Sequence, residues 1–308
     1  MVDRPIWRVG TRAVVSLAFL GALLLLTACG ASGQQATPTL EPEHFSGELA
    51  FEHVRAQMQW VPRHPGTEGW RKTGDYIIAE LQRLGWQVEE QHFQVLDHEG
   101  RNIIARRGSG PVVIVGAHYD TRRRADRDPD PQRRSEPVPG AVDGASGVAV
   151  LLELARVLAA HDLNDEVWLT FFDAEDNGDL DGWPWIAGSS SMARNLDITP
   201  EAMVLVDLVG QQDQLLPFEA SSTKPLREEI WAVAGRLGYT SFVPREHWRI
   251  IDDHTPFLER GIPAVDIIDF DYPQWHTTAD TIDQVSPASL EEVGRTLETW
   301  LLERSQER

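Results

Sequence analysis

The chain has one cysteine, Cys29, in 308 residues, so no disulfide can form within it and an exported form must rely on its core for stability. It is also short of positive charge: 28 Lys and Arg stand against 48 Asp and Glu, for a formal net charge of −20. Three of the few cations, Arg4, Arg8 and Arg12, lie at the extreme N-terminus. That balance argues against nucleic acid as a partner, since phosphate recognition needs a basic face, and against electrostatic adhesion to anionic lipid. It suits a solubilising acidic surface instead. Long apolar runs are scarce as well. The N-terminal run, Ala13 to Leu26, has 14 residues, whereas a membrane-spanning helix needs about 20. There is no internal repeat, and nothing suggests a coiled coil or a swapped strand.

That run follows the three arginines and leads into Leu26-Thr27-Ala28-Cys29, the layout of a secretory signal peptide. The ending resembles the bacterial lipoprotein cleavage box. The resemblance implies that residues 1–28 are a signal peptide and that Cys29 becomes a lipidated first residue. Residues 30–43 are small, polar and proline-containing, so 29–43 reads as a flexible lipid-anchored linker. The expected location is the outer side of the bacterial cytoplasmic membrane, reached through the lipid on Cys29. Residues 44–308 suit one large α/β domain.

Within that body, apolar periodicity predicts helices over Phe45–Met58, Trp70–Leu84, Ala145–Ala160, Lys224–Leu237 and Ser289–Glu303. Trp86–Phe93 alternates like a strand, with Asn102–Arg106 as its hairpin partner. Pro111–Val115 is a continuous apolar run, as in a strand covered on both faces, and Val167–Phe172, Met203–Val206 and Ala264–Ile268 read as three further strands. Strands alternating with helices predict a single α/β domain: a mostly parallel mixed sheet with helices on both faces. Thr121–Pro139, charged and with four prolines, breaks the order and reads as a mobile surface loop, or else a lid bordering a site.

Five metal-ligand-type residues sit in five segments beside these strands: His118, Asp143, Asp176, Asp207 and His276. An open α/β sheet gathers such residues at its strand ends. His118 follows a strand, and Asp120 is placed to hold its second ring nitrogen. Asp143 lies in a glycine-rich turn before a helix, where it can cap the helix or bridge two ions. Glu175 and Asp176 are adjacent acids after a strand, so one can bind metal while the other moves protons. Asp207 ends an apolar run, a costly place for an unpaired acid. Asp252-Asp253-His254 precedes a short helix with Pro256 in its first turn.

Six motifs, GAHYDT, PGAVDGASGVAVLLELARVL, FFDAED, LVDLVG, DDHTPFLERGIP and WHTTADT, occur in order between Gly116 and Thr281, within a resemblance that runs from about Phe45 to the C-terminus. Together they resemble the zinc aminopeptidase family that also contains the glutaminyl cyclases. The resemblance implies one or two zinc ions, one held by His118, Asp143 and Asp207, the other by Asp143, Asp176 and His276. It implies Glu175 as the general base, Asp120 orienting His118, and Asp252 in a proton relay. That family more often has glutamate at the position of Asp176. Trp183 or Trp185 would form an aromatic pocket wall, with Trp275 beside His276. The implied substrate is a peptide or protein with a free N-terminus. Glutaminyl-peptide cyclisation with ammonia release is the leading reading, from Trp275-His276, Asp252 and Phe171-Phe172-Asp173. Aminopeptidase hydrolysis is the alternative, from Gly144-Ala145-Ser146-Gly147-Val148 and Thr278-Ala279-Asp280-Thr281, and Asp266 stands where cyclases carry a histidine. A non-catalytic receptor of the same fold is a third.

Overall fold

A computed structural model describes residues 43–307. The expected signal peptide, Cys29 and all but the last residue of the linker lie outside them. Among the described residues no helix is long and apolar enough to cross a membrane.

The first elements are helices α1 (Gly47–Gln57) and α2 (Glu68–Arg83), whose N-caps Ser46 and Thr67 accept backbone N–H bonds from Leu49 and Trp70. The hairpin β1 (Gln87–Val95) and β2 (His98–Gly108) follows, both strands longer than periodicity alone indicates. Next come β3 (Val112–His118), α3 (Ala145–Leu158), β4 (Glu166–Phe172), α4 (Ala187–Asn195) and β5 (Ala202–Asp207). The chain continues through β6 (Leu216–Phe218), α5 (Lys224–Leu237), β7 (Phe242–Glu246), α6 (Thr255–Glu259), β8 (Ala264–Ile268) and α7 (Pro287–Gln306). The six-stranded sheet has the order β1-β2-β4-β3-β5-β8. The β1–β2 and β2–β4 pairs are antiparallel; β4–β3, β3–β5 and β5–β8 are parallel. Strands β6 and β7 form a separate parallel pair that apolar patterning did not reveal.

The continuous apolar runs are explained by burial on both sides. Val113, Val115, Val167, Leu169, Val204 and Val206 face the core shared with α1, α3 and α7. Their neighbours Ile114, Trp168, Phe172, Met203 and Leu205 face a second core with Met192 of α4 and Phe257 of α6. Side chains alternate across a strand, so a strand covered on both faces needs apolar residues at every position.

This topology positions the site. From β3 the chain crosses to β4 on one side and from β4 to β5 on the other, so strand order reverses at β3. Ligands of open α/β sheets bind beyond the carboxyl ends of strands at such a point. His118 is the last residue of β3, and Asp207 the last of β5.

Candidate metal centre and pocket

At that edge the five candidate donors converge, all buried. His118 Nε2 lies 3.1 Å from Asp143 Oδ1 and 3.2 Å from Asp207 Oδ1. His276 Nε2 lies 2.8 Å from Asp176 Oδ1 and 3.7 Å from Asp143 Oδ2. The donor atoms of each triad fall within 4.8 Å of one another, and Asp143 belongs to both.

The backbone is bent to achieve this. His276 itself, Ala174 before Glu175 and Leu208 after Asp207 have φ of 57°, 56° and 43°. Non-glycine residues reach that region at a cost, and such strain gathers at functional sites. Leu208 N–H donates to Asp207 Oδ1 at 2.7 Å, which fixes that carboxylate over its own turn. Gly144 is required by close approach: a Cβ there would sit 2.7 Å from both Cε1 and the carbonyl oxygen of His118.

The donor set fits a divalent cation. Asp143 Oδ2 and Asp176 Oδ2 are buried with no hydrogen-bond partner, an arrangement that is costly without a positive charge. Burial lifts the Asp176 carboxyl well above the usual range, and Asp143 adds to this, against the pull of Arg122. Burial lowers His276 to about 3, leaving a neutral imidazole with a lone pair to give. Burial opposes charge on His118 too, but the neighbouring carboxylates, Asp207 first and then Asp120 and Asp143, outweigh it and lift the ring well above its ordinary value. A divalent cation would satisfy the same carboxylates and release that proton.

Two acids stand beside the triads in neither of them. Glu175 is 7 % exposed, and burial lifts its carboxyl well above the usual range, with Asp176, Asp253 and Asp207 raising it further against the pull of His118. Asp252 is lifted likewise by burial and by Asp266, Asp207 and Glu175. Behind Asp252 the buried Asp266 lies 3.6 Å from His254 Nδ1, so an imidazole is supplied next to it from α6's N-cap. His254 Nε2 in turn lies 3.1 Å from Ser221 Oγ and 3.3 Å from Glu219 Oε2.

Glu175, Asp252, Trp185, Trp275 and members of both triads line one cavity of about 350 Å³. Its apolar wall includes Ile250, Ile268 and Phe270. Trp185 lies parallel to the His276 ring, with centroids 6.1 Å apart and an interplanar angle of 8°.

Several expectations need correction. Trp183 is not a wall of this cavity. It turns the other way, into a small cluster with Val95, Ala174 and Ala187, under the Arg123 guanidinium. Gly178 makes room for Trp185 alone: a Cβ there would lie 2.0 Å from the indole. Asp120 stands 3.7 Å from His118 Nδ1, beyond a good hydrogen bond, and its shorter contacts lie elsewhere. It accepts from Glu175 N–H at 3.0 Å and from Asn177 Nδ2 at 3.1 Å, so it clamps the acid-bearing loop to the end of β3. Asp143 makes no capping bond to α3, whose N-cap is Gly144.

The segment 121–139 is not a loose surface loop. Arg122, 3 % exposed, donates to the carbonyl oxygens of Asp176 and Gly178 and pairs with Asp126, whose Oδ1 lies 3.8 Å from His276 Nδ1. Asp128 is buried and accepts from Thr278 N–H at 3.0 Å and Thr278 Oγ1 at 2.5 Å. The segment thus braces two donor-bearing turns. Sequence reasoning also missed the roles of Asp280 and Arg63. Asp280 accepts from Val142 N–H at 2.9 Å and Asp143 N–H at 3.1 Å, and Arg63, fully buried, donates to Gly140 O at 2.7 Å. Both hold the Asp143 turn. Charged residues in polar surroundings gave no apolar pattern from which to find them.

A sheet that gathers imidazoles and carboxylates at its carboxyl edge, around a pocket with a protected acid, is the framework of a metal-dependent enzyme. Comparison with known proteins is more specific: residues 102–301 match peptidase family M28, and the chain belongs to that family. A glutaminyl-peptide cyclotransferase of Boiga irregularis is 28% identical over an alignment covering 79% of this chain and 77% of that one. A crystal structure of Porphyromonas gingivalis glutaminyl cyclase superposes with a TM-score of 0.80 at 34% identity, covering 84% of this chain and 99% of that one. A Zn-dependent exopeptidase from Parabacteroides distasonis gives 0.79 at 32% identity, covering 84% and 98%.

Proposed function

We propose that the protein is a zinc-dependent glutaminyl-peptide cyclotransferase, converting an N-terminal glutamine to pyroglutamate with release of ammonia. The observation that carries this is the cavity in which Glu175 and Asp252 sit together with the Asp143–Asp176–His276 triad, against the apolar wall of Trp185, Phe270 and Trp275. It is of the size that encloses one side chain, and the relatives named above include glutaminyl cyclases.

Zinc held by Asp143, Asp176 and His276 would act as a Lewis acid on the carbonyl oxygen of the glutamine side-chain amide. The rest is the work of the chain's own groups. The indoles of Trp185 and Trp275 and the ring of Phe270 exclude water and hold the glutamine methylenes. Glu175, ionised, accepts a proton from the α-amine as that nitrogen attacks, then returns it to the departing nitrogen, which leaves as ammonia. A carboxyl lifted by burial above the usual carboxylate range is a better proton acceptor for the first step and still an acid for the second. Asp252, lifted by the same crowding, shares the proton with Glu175 and keeps it from bulk water. Ring closure is intramolecular, so fixing the bound conformation supplies much of the rate.

A second reading, aminopeptidase hydrolysis, is favoured by one observation: His118 and Asp207 complete a second triad on Asp143, as a two-metal hydrolase requires. Product analysis separates the two. A Gln-initiated peptide that loses ammonia and becomes blocked supports the cyclase; one that yields free glutamine supports the peptidase. We further propose, from the residues before the body, that export and a lipid on Cys29 bring this activity to the outer face of the bacterial cytoplasmic membrane. Globomycin-sensitive processing and radiolabelled palmitate incorporation, lost in Cys29→Ala, test it.

A further inference from the structure

The cavity is lined by five carboxylates, Asp143, Glu175, Asp176, Asp207 and Asp252, and by one arginine, Arg249. Those carboxylates suit a substrate's cationic amine, but an arginine at the same mouth serves no such purpose. Arg249 has no carboxylate within ion-pair distance among the described residues; its one side-chain bond is from Nη2 to the Ala220 carbonyl oxygen at 3.2 Å. In a chain with 48 acids, an exposed cation without an acidic partner beside the proposed active site needs an account.

Nor is its position accidental to a loose loop. The segment around it lacks regular structure but is fastened at almost every residue. His247 N–H donates to Phe218 O at 3.1 Å, and Trp248 O accepts from Ala220 N–H at 2.7 Å. Ile250 N–H donates to Glu219 Oε1 at 3.2 Å. The Trp248 indole N–H donates to Asp271 Oδ1 at 3.1 Å, tying the segment to the loop that carries Trp275 and His276. Arg249 is thereby held at the rim with its guanidinium in water.

We propose that Arg249 is a specificity-determining residue that recognises a carboxylate on the peptide just downstream of the N-terminal residue. The inference rests on the N-terminal activity proposed above. With the first residue in the cavity, an extended chain advances about 3.4 Å per residue. The second and third residues therefore pass the rim, where an acidic side chain, or the terminal carboxylate of a very short peptide, meets the guanidinium. Arginine suits this role because its fork matches a carboxylate in two hydrogen bonds.

The test compares kcat/KM of the zinc-loaded protein on Gln-Glu-Ala, Gln-Ala-Ala and Gln-Lys-Ala, each as amide and as free acid, for the wild type, Arg249→Gln and Arg249→Lys. An exposed ion pair gives the wild type a preference of about two- to fivefold for Gln-Glu-Ala amide over Gln-Ala-Ala amide, and a matching penalty for Gln-Lys-Ala. The ratio falls to about one in Arg249→Gln, returns in part in Arg249→Lys, and shrinks in high salt. A free-acid preference instead of a Glu preference identifies the terminal carboxylate as the source. A wild-type ratio near one for every carboxylate, with neutral peptide turned over, overturns this inference and leaves the proposed function standing. Equal loss on all peptides in Arg249→Gln, with the ratio kept, assigns Arg249 a structural role and overturns it too. No turnover of any peptide, by ammonia or free amino acid, overturns both.

Discussion

Replacing Glu175 by glutamine removes one proton site and almost nothing else. The side chain keeps its volume, and the backbone bonds from Glu175 N–H to Asp120 Oδ1 and from Ile186 N–H to Glu175 O remain. Glu175 belongs to neither donor triad, so zinc content should not change. Loss of a positioned acid–base group costs about 10²- to 10⁴-fold in rate, or about 3 to 5 kcal/mol of barrier. Two further signatures follow from the raised carboxyl. In the wild type Glu175 must be ionised to accept the amine's proton, so kcat/KM should rise with pH through an apparent pKa above the ordinary 4.5, and the variant's residual rate should lack that limb. Stability follows pH in the opposite direction to activity. A carboxyl whose pKa is raised by folding favours the folded state below its unfolded value, and that contribution is lost as pH rises through the folded value. Glutamine carries no such loss, so in zinc-stripped protein the variant should match the wild type at pH 4 and melt no lower than it at pH 8. Ammonia release from a Gln-initiated peptide, metal analysis and calorimetry measure the three. A variant with full zinc that retains more than about a third of wild-type activity refutes the assignment of Glu175.

The remaining predictions concern the metal and its supports. His276→Ala should lower zinc affinity by more than about 100-fold and abolish activity, whereas His118→Ala in a one-zinc cyclase should keep a first equivalent of zinc; loss of all zinc in both, by metal analysis after dialysis, would show that the triads act as one two-metal unit. Arg122→Ala removes the brace on the Asp176 carbonyl and on Asp126, and should weaken zinc binding by about 10- to 100-fold in a competition titration with a chromophoric chelator. Gly178→Ala places a Cβ 2.0 Å from the Trp185 indole, so the ring must leave; KM for a Gln-initiated peptide should rise severalfold with zinc content intact, and an unchanged KM would remove Trp185 from the pocket's role.

The centre of the main sheet was legible because β3 and β5 carry one signal: an uninterrupted apolar run that ends in a polar residue. Val112–His118 and Ala202–Asp207 are such runs, and burial on both faces demands them. The donors follow from the same logic, since an acid or imidazole at the end of a buried strand needs a partner. What composition does not encode is the direction of side chains in irregular segments. Trp183 and Trp185 differ by two positions in a turn where Asp179, Asp181, Gly182 and Ile186 all have positive φ, and only the resulting path sends one indole to the cavity and the other to Ala174. The 121–139 segment misleads for a related reason. Its charges look solvated, yet Arg122 and Asp128 are buried because each finds partners in the donor-bearing turns. Asp120 shows the limit of proximity in sequence: two residues from His118, its best partners are the N–H groups 55 and 57 positions on.

The most direct test of the central claim is mass spectrometry of a Gln-initiated peptide incubated with zinc-loaded protein and, in parallel, with protein stripped by a chelator. The account predicts an otherwise intact peptide that has lost one ammonia and resists Edman degradation, only in the zinc-loaded sample. A peptide left unchanged by protein shown to hold zinc contradicts it.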